Sequence, residues 1–284
     1  MSNQEIKKDE GRLKILARID EYERKGLFNQ HVEDDPPTIP LTLDKVDYLN
    51  KKLSSKIATF FVNIGAVRFI KNLVKTGQIR INEIKGIENY LKVKDTGLII
   101  TCNHFNPFDN FAVHYALFPY LYNFGGRKLY KVIREGNFTN FPGLYGFFFR
   151  HCNTLPLSSN FSTMKEFMKS VNILLKRGEK ILVYAEQAMW WNYRKPRPLT
   201  PGAFKFAVDA GVPVLPIFIT MQDSKDIGPD GFPVQEYTLN FLEPIYADEQ
   251  KSSKENIEDM KNKNYEAWKK CYEDFYKIPL TYLT

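Results

Sequence analysis

The chain has 284 residues, enough for one large α/β domain or two small ones. With 43% hydrophobic and 26% charged residues it reads as a globular protein, which excludes a disordered chain, a collagen-like fibre and a disulfide scaffold. Forty Lys+Arg against 33 Asp+Glu leave a net charge of +7, which suits anionic lipid, nucleic acid or a phosphorylated substrate and selects none of them alone.

The three cysteines, Cys102, Cys152 and Cys271, form no CxxC pair, and the opening MSNQEIKKDEGRLK lacks the apolar run of a secretion signal. Reduced thiols in a cytoplasmic setting are the expectation. The most apolar stretch, residues 58–70, carries Asn63 and Arg68 and reads as too short to cross a bilayer, though able to lie on one.

In chain order, residues 3–27 are expected to form a charged helix, followed by a proline-broken acidic linker over 31–40. A second helix is expected over 43–76, with Ile57, Phe60, Phe61, Ile64, Val67 and Phe69 among its apolar positions. From about residue 80, strands and helices alternate. Strands are predicted at 97–102, 129–133, 153–157, 180–185, 212–220 and 237–242. Helices are predicted at 108–121, at 163–177 behind a Thr163–Glu166 capping box with Gly178 as its stop, and at 201–211. The tail, 250–277, reads as an amphipathic helix with Ile257, Trp268, Tyr272 and Phe275 on one side. The expected fold class is α/β: a mixed central sheet flanked by helices, with an N-terminal helical segment over 1–78 and the α/β unit over 79–284.

The sharpest local signal is Asn103-His104-Phe-Asn-Pro-Phe-Asp109, directly after a buried strand, where α/β proteins place their chemistry. A histidine takes a proton from a hydroxyl more effectively when a carboxylate fixes its tautomer. The same letters also fit a capping Asn or Asp beside a surface histidine. Cys102, two positions before His104, reads either as a small core residue or as a thiol nucleophile. His114 and His151 have no third ligand at metal-binding spacing, so no metal is expected.

Further along, Glu186 follows another buried strand, and Val212-Pro-Val-Leu-Pro216 opens the next. This ordered set resembles the glycerolipid acyltransferase family over roughly residues 85–245. The family's Asn-His-x4-Asp block falls on Asn103, His104 and Asp109. Its Pro-Glu-Gly-Thr-Arg block keeps only Glu186, and its Val-Pro-Val-x-Pro strand is complete at 212–216. The resemblance implies acyl transfer to a hydroxyl, with His104 as general base and Asp109 orienting it. The donor would be acyl-CoA or acyl-carrier protein, with no cofactor, and the acceptor a lysophospholipid, glycerol phosphate or related lipid. Backbone N–H groups near the Glu186 turn are candidate oxyanion donors. The runner-up is a catalytically silent lipid-binding relative, against which the intact His104 and Asp109 speak.

Two family arginines that grip an acceptor phosphate are Ser159 and Met189 here, and the glycine of the Pro-Glu-Gly-Thr-Arg block is Gln187. Arg150, Arg194, Lys195 and Arg197 stand nearby as substitutes, unless Tyr193-Arg-Lys-Pro-Arg-Pro is a solvated basic loop. Asn103, Glu186, Gln187, Arg150, Arg194 and Arg197 are accordingly the expected substrate-binding set. The aromatic run 141–149 and the Trp190, Trp191, Tyr193 group read as an acyl path, interfacial anchors or core. Arg68, Lys71, Lys75 and Arg80 have no acidic neighbour between residues 64 and 82. The expected setting is therefore cytoplasmic, docked peripherally on the anionic inner face of the membrane. No nucleic-acid motif appears, so nucleic acid is not an expected partner.

Overall fold

The computed structural model describes residues 7–121 and 127–283. Asp9 accepts from the Arg12 N–H and starts α1 at Glu10–Arg24, so the first helix is shorter than the charge pattern suggests. The second stretch breaks in two. Leu43–Lys45 makes one 3-10 turn, and α2 runs over Leu53–Lys75.

The buried face of α2 is Thr59, Val62, Ala66, Ile70 and Leu73, at helical spacing. Its largest side chains point the other way: Leu53 is 72% exposed, Phe60 60% and Phe61 65%. At 23 residues this helix is long and apolar enough to cross a bilayer by length and composition, its best window having a mean hydropathy of 1.4. That corrects the expectation of a segment too short to span, because the helix continues well beyond residues 58–70.

The remaining elements are β1 (Arg80–Lys85), α3 (Ile87–Val93), β2 (Leu98–Cys102), α4 (Asp109–Leu121) and β3 (Leu129–Ile133). After them come α5 (Glu135–Thr139), α6 (Gly143–His151), β4 (Thr154–Pro156), α7 (Phe161–Lys176) and β5 (Lys180–Val183). The chain closes with α8 (Gly202–Ala210), β6 (Val214–Ile227), β7 (Pro233–Phe241) and α9 (Ser253–Tyr276). Helix α7 is capped by Asn160, not by the Thr163 box; the capping box that does form is Ser252–Glu255, at the head of α9.

Among the described residues the sheet has seven strands in the order β1-β7-β6-β2-β5-β3-β4. Every neighbouring pair is parallel except β6 and β7, so the sheet is mixed. Edge strand β1 was not visible in the sequence. It alternates poorly and its last four residues, Asn82, Glu83, Ile84 and Lys85, are exposed.

Both faces of the sheet are covered. Leu98, Ile100, Leu182 and Leu215 pack toward α2, α3 and α4, while Ile99, Ile181, Val183 and Val214 pack toward α7, α8 and Met260 of α9. Gly97, at the entry to β2, admits no larger residue: a Cβ there would lie 2.0 Å from the Leu175 carbonyl oxygen of α7. The carboxyl ends of β2 and β5, side by side at the centre, open on the same edge of the sheet.

Candidate active site

At the end of β2 the side chain of Asn103 takes over from the backbone ladder. Its Nδ2 donates to the Ile219 carbonyl at 3.0 Å and its Oδ1 accepts from the Ile219 N–H at 2.8 Å. With both groups engaged on β6 and the residue 2% exposed, Asn103 anchors the loop to the sheet.

The loop 103–108 then turns around one carboxylate. Asp109, the first residue of α4 and wholly buried, accepts at Oδ2 from His104 Nδ1 at 2.8 Å, from the Phe105 N–H at 3.0 Å and from the Asn106 N–H at 3.2 Å. Its Oδ1 accepts from the Tyr184 hydroxyl. A carboxylate only accepts, so Nδ1 is assigned as the donor of this pair, and Nε2 is the ring nitrogen not engaged by Asp109. The position at the head of α4 also sets the carboxylate in the favourable end of the helix dipole.

Tyr184 was not singled out in the sequence, where it reads only as the end of a strand. Its ring stacks on His104, with centroids 3.9 Å apart and planes 18° apart. Burial, followed by the charge of Asp109, pushes its phenol well above its usual range, so it remains a donor.

The second loop, 185–197, leans on the first. Glu186 Oε2 accepts the His104 N–H at 3.0 Å, and Trp190 and Asn192 donate their N–H groups to the carbonyls of His104 and Phe105 at 3.1 and 2.9 Å. Glu186 also pairs with Arg197 at 2.9 Å, and the two are 2% and 1% exposed. Neither therefore sits where the substrate-ligand expectation put it; they form a buried ion pair beneath the His104 loop.

Gln187 is exposed and takes a left-handed conformation, φ 66°, at the position where the family has glycine. The N–H groups of Gln187 and Ala188 are engaged inside their own turn, by Tyr184 and Glu186 carbonyls at 3.0 and 2.9 Å, and so do not serve as the expected oxyanion donors.

The other candidate cations have partners of their own. Arg194 pairs with Asp223 at 2.6 Å and Lys195 with buried Glu23 at 2.5 Å. Arg150, on α6, donates to the Phe141 carbonyl at 3.4 Å and lines a small cleft with Asp47, Tyr48 and Asn153. Arg80 has an acidic partner after all, Asp226 at 2.7 Å, from a part of the chain remote in sequence. Where the first of the two family arginines would be, the Ser159 N–H donates to both oxygens of Glu135, each at 3.1 Å.

Trp190 and Trp191 are 0% and 4% exposed and belong to the core, which excludes them as interfacial anchors. Cys102 is fully buried, and desolvation raises its thiol well above the usual range, so it packs as a small apolar residue. Among the described residues no three His, Cys, Asp or Glu side chains converge on a metal position.

A histidine held by a buried carboxylate lies at the carboxyl edge of a mixed α/β sheet, an arrangement in which an imidazole can exchange a proton. The Acyltransferase family model matches residues 81–220, which span both loops, and the chain belongs to that family and is an acyltransferase. The fold is similar to the crystal structure of the 1-acyl-sn-glycerophosphate (LPA) acyltransferase PlsC from Thermotoga maritima. The two share 20% identity at a TM-score of 0.54, over 81% of this chain and 86% of that one. No curated protein sequence matches the chain.

Proposed function

We propose that the enzyme transfers a fatty acyl group from a thioester donor, acyl-CoA or acyl-carrier protein, to a hydroxyl of a lysophospholipid, glycerol phosphate or related lipid acceptor. His104 Nε2 takes the hydroxyl proton as the oxygen attacks the thioester carbonyl. The tetrahedral intermediate collapses by breaking the C–S bond, and the imidazolium returns the proton to the departing thiolate. Asp109 holds Nδ1 and balances the transient charge. The observation that carries this reading is the 2.8 Å contact between His104 Nδ1 and the fully buried Asp109, capped by the stacked Tyr184. The step as written draws on no metal or redox cofactor.

In this reading residues 79–284 form the catalytic unit and residues 1–78 bring it to the bilayer. Helix α2, with Phe60 and Phe61 exposed, packs against α6, whose Leu144 and Tyr145 are 70% and 77% exposed. An apolar face of that kind, with Arg68, Lys71 and Lys75 on the same helix, supports peripheral docking on the anionic inner leaflet.

The test is free-thiol release from acyl-CoA and from acyl-carrier protein, with lysophosphatidic acid and neutral lysolipids as rival acceptors. Release that requires an acceptor is the expected result; release that ignores every acceptor would leave a thioesterase and end the transfer reading. For docking, Phe60→Glu with Phe61→Glu is expected to lower sedimentation with anionic liposomes at least tenfold while sparing turnover of a water-soluble acceptor. Unchanged sedimentation would remove α2 from the interface.

A further inference from the structure

Residues 27–34 lie outside the family-matched segment, yet they cross the outer side of the loop that supports His104. The Phe28 carbonyl accepts from Arg197 Nη1 at 2.9 Å, and the Gln30 carbonyl accepts from Trp190 Nε1 at 2.9 Å. The Phe28 ring stacks on Trp190 at 5.9 Å, the Arg197 guanidinium lies 4.8 Å from the same indole, and Val32 is buried against it. On its inner side Arg197 uses Nη2 on Glu186, on the Ala188 carbonyl and, at 3.3 Å, on the His104 carbonyl. The peptide flanks of His104 are thus held together: Glu186 takes its N–H and Arg197 reaches its C=O.

We propose that Arg197 is a positioning residue for the acyl transfer: with Glu186 it sets His104 against Asp109, and the N-terminal strap at 27–34 keeps Arg197 in place. The inference rests on His104 being the general base. A buried ion pair is a poor source of stability, since apolar residues of the same volume fill such a space as well or better. Apolar residues cannot, however, hold a donor and an acceptor of the catalytic peptide at once. The rigid guanidinium fork reaches the Phe28, Ala188 and His104 carbonyls and the Glu186 carboxylate from one buried point, which a lysine ammonium cannot do. At 1% exposure the guanidinium faces protein on all sides, so it is not a ligand for an acceptor phosphate. General-base catalysis tolerates little misplacement, about 1 Å being enough to cost a hundredfold in rate.

The experiment compares wild type, Arg197→Ala, Arg197→Lys, Trp190→Phe and His104→Ala in the full chain, with phosphorylated and neutral acceptors. It is run below each variant's melting midpoint. For Arg197→Ala we expect kcat to fall about a hundredfold while KM for both acceptor classes stays within about threefold. Millimolar guanidinium should restore part of the lost kcat in Arg197→Ala and none in His104→Ala, and Arg197→Lys should stay low. Trp190→Phe removes the N–H to Gln30 together with the five-membered ring of a fully buried indole; its kcat should drop about threefold to tenfold and its melting midpoint should fall. Wild-type kcat in Arg197→Ala would overturn the proposal, as would a KM rise confined to phosphorylated acceptors. If Arg197→Ala does not fold, Trp190→Phe decides alone, and wild-type kcat there overturns the proposal. Turnover surviving in His104→Ala would instead remove the general-base reading, a separate result from either.

Discussion

The two loops of the active site differ in how their chemistry is written. In the loop 103–109 the motif letters and the geometry coincide: His104 and Asp109, five residues apart, meet at 2.8 Å because one carboxylate gathers the N–H groups of Phe105 and Asn106 and folds the turn. In the loop 185–197 almost none of the family's letters survive, yet the loop is tied to the first by hydrogen bonds from Trp190, Asn192 and Arg197 and by Glu186 receiving the His104 N–H. The first loop carries the His104–Asp109 pair in the family's own letters. The second only has to deliver donors and acceptors to a backbone, which many side chains can arrange.

Substitutions can break this contrast in turn. The largest effect belongs to the first loop: His104→Ala should lower acceptor-dependent thiol release by about 10²–10⁴-fold. For the second loop, Glu186→Ala strands Arg197 as an unpaired buried charge and should cost about 3–5 kcal/mol of stability by denaturant unfolding. A cost under about 1 kcal/mol would mean that water reaches the pair. Tyr184→Phe, which joins the loops, removes a hydroxyl that donates to the buried Asp109 side chain. It should lower stability by about 1.5–3 kcal/mol and also reduce kcat, and a stability loss with unchanged kcat would make Tyr184 a packing residue only. The smallest effect is at Gln187, where a side chain occupies a left-handed conformation; Gln187→Gly should leave activity intact and shift stability by no more than about 1 kcal/mol, in the stabilising direction. Clear destabilisation would show that the Gln187 side chain holds the turn.

Most strands and helices after residue 97 were legible because the central strands alternate between two buried faces and the longer helices carry an apolar stripe, whereas α5 and α6 were not predicted. Edge strand β1 was not, since it is exposed over most of its length and has no pattern to show. The buried face of α2 was not assigned from the sequence either: its conspicuous Phe60 and Phe61 point outward, and the buried face is the plain series Thr59, Val62, Ala66, Ile70 and Leu73. His104 and Asp109 could be found by spacing because they lie on one turn. Tyr184 and the roles of Asn103 and Arg197 could not, since their partners are 75 to 116 residues away along the chain. A composition-level reading likewise counts Arg194, Lys195 and Arg197 as free charge; in the fold each has its own carboxylate.

The most direct test of the account is acceptor-dependent thiol release by wild type and His104→Ala, measured side by side on protein shown to be folded. The account predicts that the wild type couples thiol release to formation of the acylated acceptor and that the variant loses that activity by about two orders of magnitude or more while melting as before. A folded His104→Ala that still acylates the acceptor at the wild-type rate would contradict it.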